Sequence, residues 1–152
     1  MNSNTTTPET LPDLSRQERQ DRNKALLLDA LKSAGAIRAA VTYSGGGDEG
    51  YADGIVATAA DGKPIRLSAP VSLYVVRSDF IDGQWQSAIV LKELPLEDAL
   101  SNFAMEALEE RHAGWEINDG GEGEVVFDCA KGVVRIEHND YYTESEHTET
   151  TL

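Results

Sequence analysis

Apolar residues recur at helical spacing in two stretches of the chain and at alternate positions in several others. In the first helical stretch Leu27, Ala30, Leu31 and Ala34 fall on one stripe, with Leu26 and Leu28 beside it. Its start lies near Pro12-Asp13-Leu14-Ser15, where Pro12 suits a first turn and Asp13 or Ser15 can cap. Arg16 to Asn23 is almost wholly polar, so that half is expected to project into solvent while the later half packs. Gly35 supplies the stop. The second helix runs from Leu94 to His112, with Leu96, Ala99, Leu100, Phe103, Ala107 and Leu108 at three- and four-residue steps. Glu106, Glu109 and Glu110 sit near its C-terminal end, where the helix dipole disfavours anions, and Arg111 partly offsets them.

Between the helices the period changes to two. Ile37, Ala39, Val41 and Tyr43 alternate with Arg38, Ala40 and Thr42, a half-buried strand. Ser44 to Gly50 breaks it, and a second strand follows from Tyr51 to Thr58. Asp61-Gly62 predicts a tight turn, Ile65 to Leu67 a short strand, and Pro70 an interruption. Val71 to Val76 and Trp85 to Lys92 are two more strands, joined at Asp82-Gly83, and could form an excursion beyond the main sheet. Past the second helix, Ala113-Gly114 ends the helical pattern. An acidic, glycine-rich connection from Trp115 to Glu124 leads into a hairpin from Val125 to His138. A two-residue Lys131-Gly132 turn sets Cys129 opposite Val134, Phe127 opposite Ile136 and Val125 opposite His138, with Asp128 facing Arg135 behind. The strand could continue through Tyr141-Tyr142-Thr143.

These elements predict an α+β fold: a single antiparallel β-sheet with two main helices packed on one face, in the order helix–strands–helix–hairpin. A polar, Thr-rich segment (1–11) is expected to be disordered, 12–147 to form one domain, and 148–152 to fray.

Charge narrows the range of partners. Thirteen Lys and Arg against twenty-seven Asp and Glu give a formal net charge of −14. Residues from Gly114 onward hold ten of the acids and only two bases, Lys131 and Arg135, hence −8 of the −14. Such a chain repels nucleic-acid phosphates and anionic membranes and attracts basic surfaces. The single Cys129 excludes an internal disulfide framework and a cysteine zinc site. No run of eighteen apolar residues exists, and the N-terminus lacks the pattern of a signal peptide. A cytoplasmic protein is the expectation.

Two acidic glycine-bearing turns are the candidate binding elements. Gly45 to Gly50 carries Asp48 and Glu49 but has no Lys and opens no helix, so a hairpin loop explains it better than a phosphate cradle. Trp115 to Glu124 offers Glu116, Asn118, Asp119, Glu122 and Glu124, without the spacing of a twelve-residue calcium loop. If the two turns meet, they form one anionic surface. No metal site is predicted, and Asp48, Asp119 and Glu124 are the weak candidates. Tyr141, Tyr142 and Glu144 would add an aromatic, acidic edge for an Arg-rich partner. Trp85 and Trp115 are either core residues or interface anchors. His112, His138 and His147 match no compact metal spacing, and Cys129 fits a small core residue.

Four blocks resemble a family of small bacterial proteins, often carried on plasmids and phages, catalogued as a domain of unknown function. They are Val41 to Gly50, Leu94 to Ala99, Gly114 to Gly120 and Gly123 to Asp128, and the likeness spans roughly residues 24–147. The Trp115-Glu116-Ile117-Asn118-Asp119-Gly120 block is its most specific part. The resemblance implies a shared fold and no established activity, and residence on mobile elements suggests counter-defence or plasmid maintenance. The expected function is therefore a non-enzymatic acidic module that docks on a basic, nucleic-acid-binding protein surface. No catalytic residue and no cofactor is assigned, no direct nucleic-acid or membrane binding is expected, and homo-oligomerisation stays open. The alternatives are a divalent-metal-dependent hydrolase using Asp48, Glu49, Glu116, Asp119 and Glu124, and a structural oligomerising accessory.

Overall fold

A computed structural model describes residues 14–117, 119–142 and 144–152. The expected disordered segment 1–11, together with Pro12, Asp13, Asn118 and Thr143, lies outside the described residues. The order is helix α1 (Arg16–Ser33), strands β1 (Arg38–Gly46), β2 (Glu49–Thr58), β3 (Pro70–Ile81) and β4 (Gln84–Pro95), helix α2 (Leu96–Arg111), then strands β5 (Gly121–Asp128) and β6 (Val133–Asp140).

The expectation of a single sheet is corrected. All pairings are antiparallel, but β2-β1-β5-β6 form one four-stranded sheet, while β3 and β4 pair only with each other. The free edge of β2 is blocked where β3 would have to join. The chain turns back at Asp61-Gly62, so that Pro64 bridges Thr58 and Ile65 N donates to Ala57 O at 2.9 Å. For the same reason Ile65 to Leu67 forms no strand: its groups close this turn and the start of α2. There Glu97 N donates to Leu67 O and Leu96 N to Ala69 O. The edge of β3 is met by a side chain instead of a strand. Asn23 Nδ2 donates to Tyr74 O, and Tyr74 N donates to Asn23 Oδ1 at 2.8 Å.

That pairing also corrects the reading of α1. Ser15 caps the helix in a reciprocal box with Glu18. Its polar first half does not project into solvent: Arg19, Gln20 and Asn23 are buried. Arg19 forms a two-pronged pair with Glu106 of α2, and Arg16 reaches Glu110 at 3.1 Å. Two of the three glutamates crowding the end of α2, Glu106 and Glu110, are thus answered by cations from α1. The hydrogen bonds from Arg19 hold the Glu106 carboxyl below its ordinary pKa. Period alone marks these positions as polar, and only their partners make them interior.

The core lies between the two helices, the inner face of the four-stranded sheet and the base of β3–β4. α2 supplies Leu96, Ala99, Leu100, Phe103, Ala104 and Leu108, with Phe103 against Phe127 at 5.7 Å between ring centres. α1 adds Leu27, Leu28 and Leu31, and packs chiefly against β3 and α2. Cys129 is buried and free, and that burial pushes its thiol pKa up.

The last hairpin is shifted from the expected register by two residues. Phe127 faces Val134, Val125 faces Ile136, Gly123 faces His138, and Val126 faces Arg135. A shift of two keeps every side chain on its expected face, so alternation cannot detect it. The turn is longer, Cys129 to Gly132, and is closed by Lys131 N and Gly132 N on Asp128. β6 stops at Asp140, so Tyr141 and Tyr142 do not extend it.

Candidate functional site

The two acidic turns meet at one end of the four-stranded sheet. Gly47 and Asp48 form the β1–β2 turn with φ 61° and 70°, so the hairpin loop expected over Gly45 to Gly50 is a tight two-residue turn. Asp48 N donates to Glu116 O at 3.0 Å. The chain reaches that point through three successive turn bonds after α2: Trp115 N to His112 O, Ile117 N to Gly114 O and Gly120 N to Ile117 O. Gly121 to Glu124, expected in the connection, are instead the first four residues of β5 and pair with Thr42 to Gly45.

Trp115 explains the glycines. Its indole lies over Gly45 and Gly50, where an added Cβ would come within 2.9 Å and 2.5 Å of the ring. A Cβ on Gly120 would strike the carbonyl of Gly45. The ring packs edge-on against Tyr43, with centroids 5.0 Å apart. Both turns therefore fold around one buried ring, and only glycine lets the backbones approach.

Asp48 and Glu49 lie at the β1–β2 turn, Glu116 and Asp119 beside it, and Glu122 at the start of β5 opposite Ser44. Among the described residues, Asp48, Glu49, Glu116 and Glu122 have no Lys or Arg partner. Glu116 Oε2 is buried without a hydrogen-bond donor among the described residues. Glu124 stands apart, because Arg38 pairs with it at 3.3 Å and it directly faces Glu137, itself held by Arg135 at 3.1 Å. Glu122, Glu124, Glu137 and Asp53 nevertheless line one open depression of about 370 Å³ with Tyr141 and Asn139. Tyr141 is fixed there by its N–H to Gly120 O, while Tyr142 and Glu144 lie exposed beyond it. Asn118, also a candidate, lies outside the described residues.

The chain belongs to DUF6878, a family of unknown function. The family's model matches residues 19–152, from α1 to the C-terminus. Neither curated proteins nor solved structures gave a match. Three of the four blocks that carried the resemblance converge on this end of the sheet. They are the β1–β2 turn, the Trp115 turn and the start of β5.

Beneath the acidic turns lies a polar cluster that sequence reasoning missed. Tyr43 Oη and His138 Nδ1 are 2.6 Å apart, and His138 Nε2 lies 2.7 Å from Asp140 Oδ1. One arrangement satisfies all three groups: Nε2–H donates to Asp140, and the Tyr43 hydroxyl donates to Nδ1. The His112 ring lies against His138, with centroids 4.3 Å apart. The available signal was His138 and Asp140 at alternate positions of one strand, which share a side. Nothing local placed Tyr43 against them. Burial, then the charges of Glu122 and Asp140, push the Tyr43 phenol up to about 12. It stays protonated at neutral pH and braces the sheet, the opposite of an activated nucleophile.

For the hydrolase alternative, no group of three His, Cys, Asp or Glu among the described residues is close enough to hold a metal ion. No helix among them is long and apolar enough to cross a membrane.

Proposed function

We propose that this chain is a non-enzymatic acidic module that docks on a basic protein surface of the kind that otherwise binds nucleic acid. In this reading it serves in the bacterial cytoplasm as an accessory of a mobile genetic element, in counter-defence or plasmid maintenance. The observation that carries it is the joining of two acidic turns over one buried tryptophan. That joining sets Asp48 beside Glu116, with Glu49 and Glu122 on the adjoining strand ends, and among the described residues no Lys or Arg pairs with these four. An anionic surface held in place by backbone bonds loses little entropy on binding, and a partner's guanidinium can pair with the exposed Asp48 and Glu49 carboxylates through charge-assisted bonds. The depression beside it, bearing Asp53 and Glu122, extends the same potential along the outer face of the sheet.

The test uses a fluorescent arginine-rich peptide titrated with the full chain across a salt series. Affinity should fall by about tenfold or more between low and near-physiological salt. The triple variant D48N/E49Q/E116Q should bind several-fold more weakly than E144Q/E146Q/E149Q, which removes the same charge from the tail. Equal loss from both variants, or binding indifferent to salt, overturns the proposal.

A further inference from the structure

The β3–β4 ribbon carries a second surface, of opposite character. Residues paired across an antiparallel ribbon share a face. One face of this ribbon is built from four consecutive pairs: Tyr74 with Leu91, Val76 with Ile89, Ser78 with Ser87, and Phe80 with Trp85. None of these eight residues is charged, in a chain with forty charged side chains, thirteen Lys and Arg plus twenty-seven Asp and Glu. The same span of the opposite face is polar at its tip, where Arg77 pairs with Asp79 at 3.2 Å.

Beyond its base, where Tyr74 and Ile89 are half-buried and the Arg22 guanidinium lies over the Tyr74 ring at 5.7 Å, this face is open to solvent. Phe80 is 60 % exposed and Trp85 73 %, with their rings edge-to-face at 5.3 Å, and Val76 and Leu91 are also exposed. Each strand is twelve residues, so the ribbon is about 40 Å long, and only its base joins the core. A two-stranded ribbon with an apolar face in water is marginal, and such a face marks an interaction site.

We infer that this face is a homodimer interface, in which the ribbons of two copies of the chain pack face to face. Charge selects the occupant. Two molecules at −14 repel wherever their surfaces bear that charge, and they can approach closely only where it is absent. A basic partner gains nothing from an uncharged ladder and is drawn to the acidic turns instead. The ladder also suits a two-fold axis, which brings the same patch of both copies together. Its two strands present matching kinds of residue at the three outer rungs, aromatic with aromatic, serine with serine, branched aliphatic with branched aliphatic, and Tyr74 with Leu91 at the base is the exception. Aromatic side chains bury on the order of 150–250 Å² each. The Phe80–Trp85 rung and its neighbours therefore supply most of the roughly 800 Å² per copy of a stable interface.

The salt response separates this surface from the acidic one. Screening weakens attraction between the acidic turns and a cation, but strengthens association of two like-charged molecules through an uncharged face. The experiment is sedimentation velocity of the full chain from 1 to 200 µM, at low and high salt, beside F80S/W85S and S78E/S87E. The wild type should move from 16.5 kDa to twice that mass, with a tighter constant at high salt. Both variants should stay monomeric while keeping the wild-type circular dichroism. Tryptophan emission should shift to the blue with concentration as Trp85 is covered, and W85F should abolish the shift. A wild-type monomer at every concentration and salt overturns the inference. A dimer that persists in both variants, or a monomer that instead partitions onto neutral phosphatidylcholine vesicles, does so equally.

Discussion

The two hairpins at opposite extremes of packing, β1–β2 with its Trp115 seat and the β3–β4 ribbon, each present one tryptophan and one glycine turn. Trp115 is 5 % exposed and Trp85 73 %. At the first, glycine brings backbones into contact with a ring, so the aromatic is interior and the charges are pushed to the rim. At the second, Gly83 has open space around it, and the aromatic stands in water on an uncharged face. The same residue types thus make a rigid charged platform in one place and an apolar docking face in the other. What differs is whether another backbone lies within reach.

Four substitutions bear on that contrast. Trp115→Ala should cost about 3–5 kcal/mol, because it empties the seat shared by both turns, whereas Trp85→Ala should stay within about 0.5 kcal/mol in the monomer. Urea unfolding at low micromolar concentration measures both, and equal costs would erase the distinction. Gly123→Ala should cost about 3 kcal/mol, since its Cβ would meet Glu137 O and lie 2.6 Å from Tyr43 Oη. Gly83→Ala, at φ 78° in open space, should cost about 1 kcal/mol for its backbone alone.

A further effect is a pH dependence. The folded Tyr43 phenol titrates near 12, above the unfolded value near 10. Its contribution is therefore fully present below about pH 10 and is lost as pH rises from there towards 12, on the order of 2 kcal/mol. Urea midpoints between pH 9 and 12 should fall more steeply for the wild type than for Tyr43→Phe. Parallel slopes would show that Tyr43 is not sealed in the packed end.

Much of the candidate site could be read along the chain. The two acidic turns, their glycines and the tight reversal at Asp82-Gly83 are local chemistry, whereas the two-residue turn at Gly47-Asp48 was read as a longer loop from Ser44 to Gly50. The extent of the second turn was misread because Gly121 to Glu124 have poor intrinsic strand preference. They are strand only because β1 on one side and β6 on the other pair with them. Tyr43, His138, Asp140 and His112 could not be assembled from spacing. Tyr43 and His138 are ninety-five positions apart, and Gly123 between them holds the space for the phenol.

Sequence alone determined where the two helices and most of the strands lie, the inward stripe of α2 and of the later half of α1, the reversal at Asp82-Gly83, and the surplus of negative charge. Those properties depend on neighbours within a few residues, through a period of 3.6 or 2 and the φ tolerance of glycine. Tertiary structure decided that β1 joins β5, that β3 and β4 stand apart as a ribbon, that Asn23 and Arg19 are interior, and which tryptophan is core. Each of these turns on a partner distant in the chain. Periodicity states that a face must be covered but not by what, and a shift of two in register leaves every face unchanged.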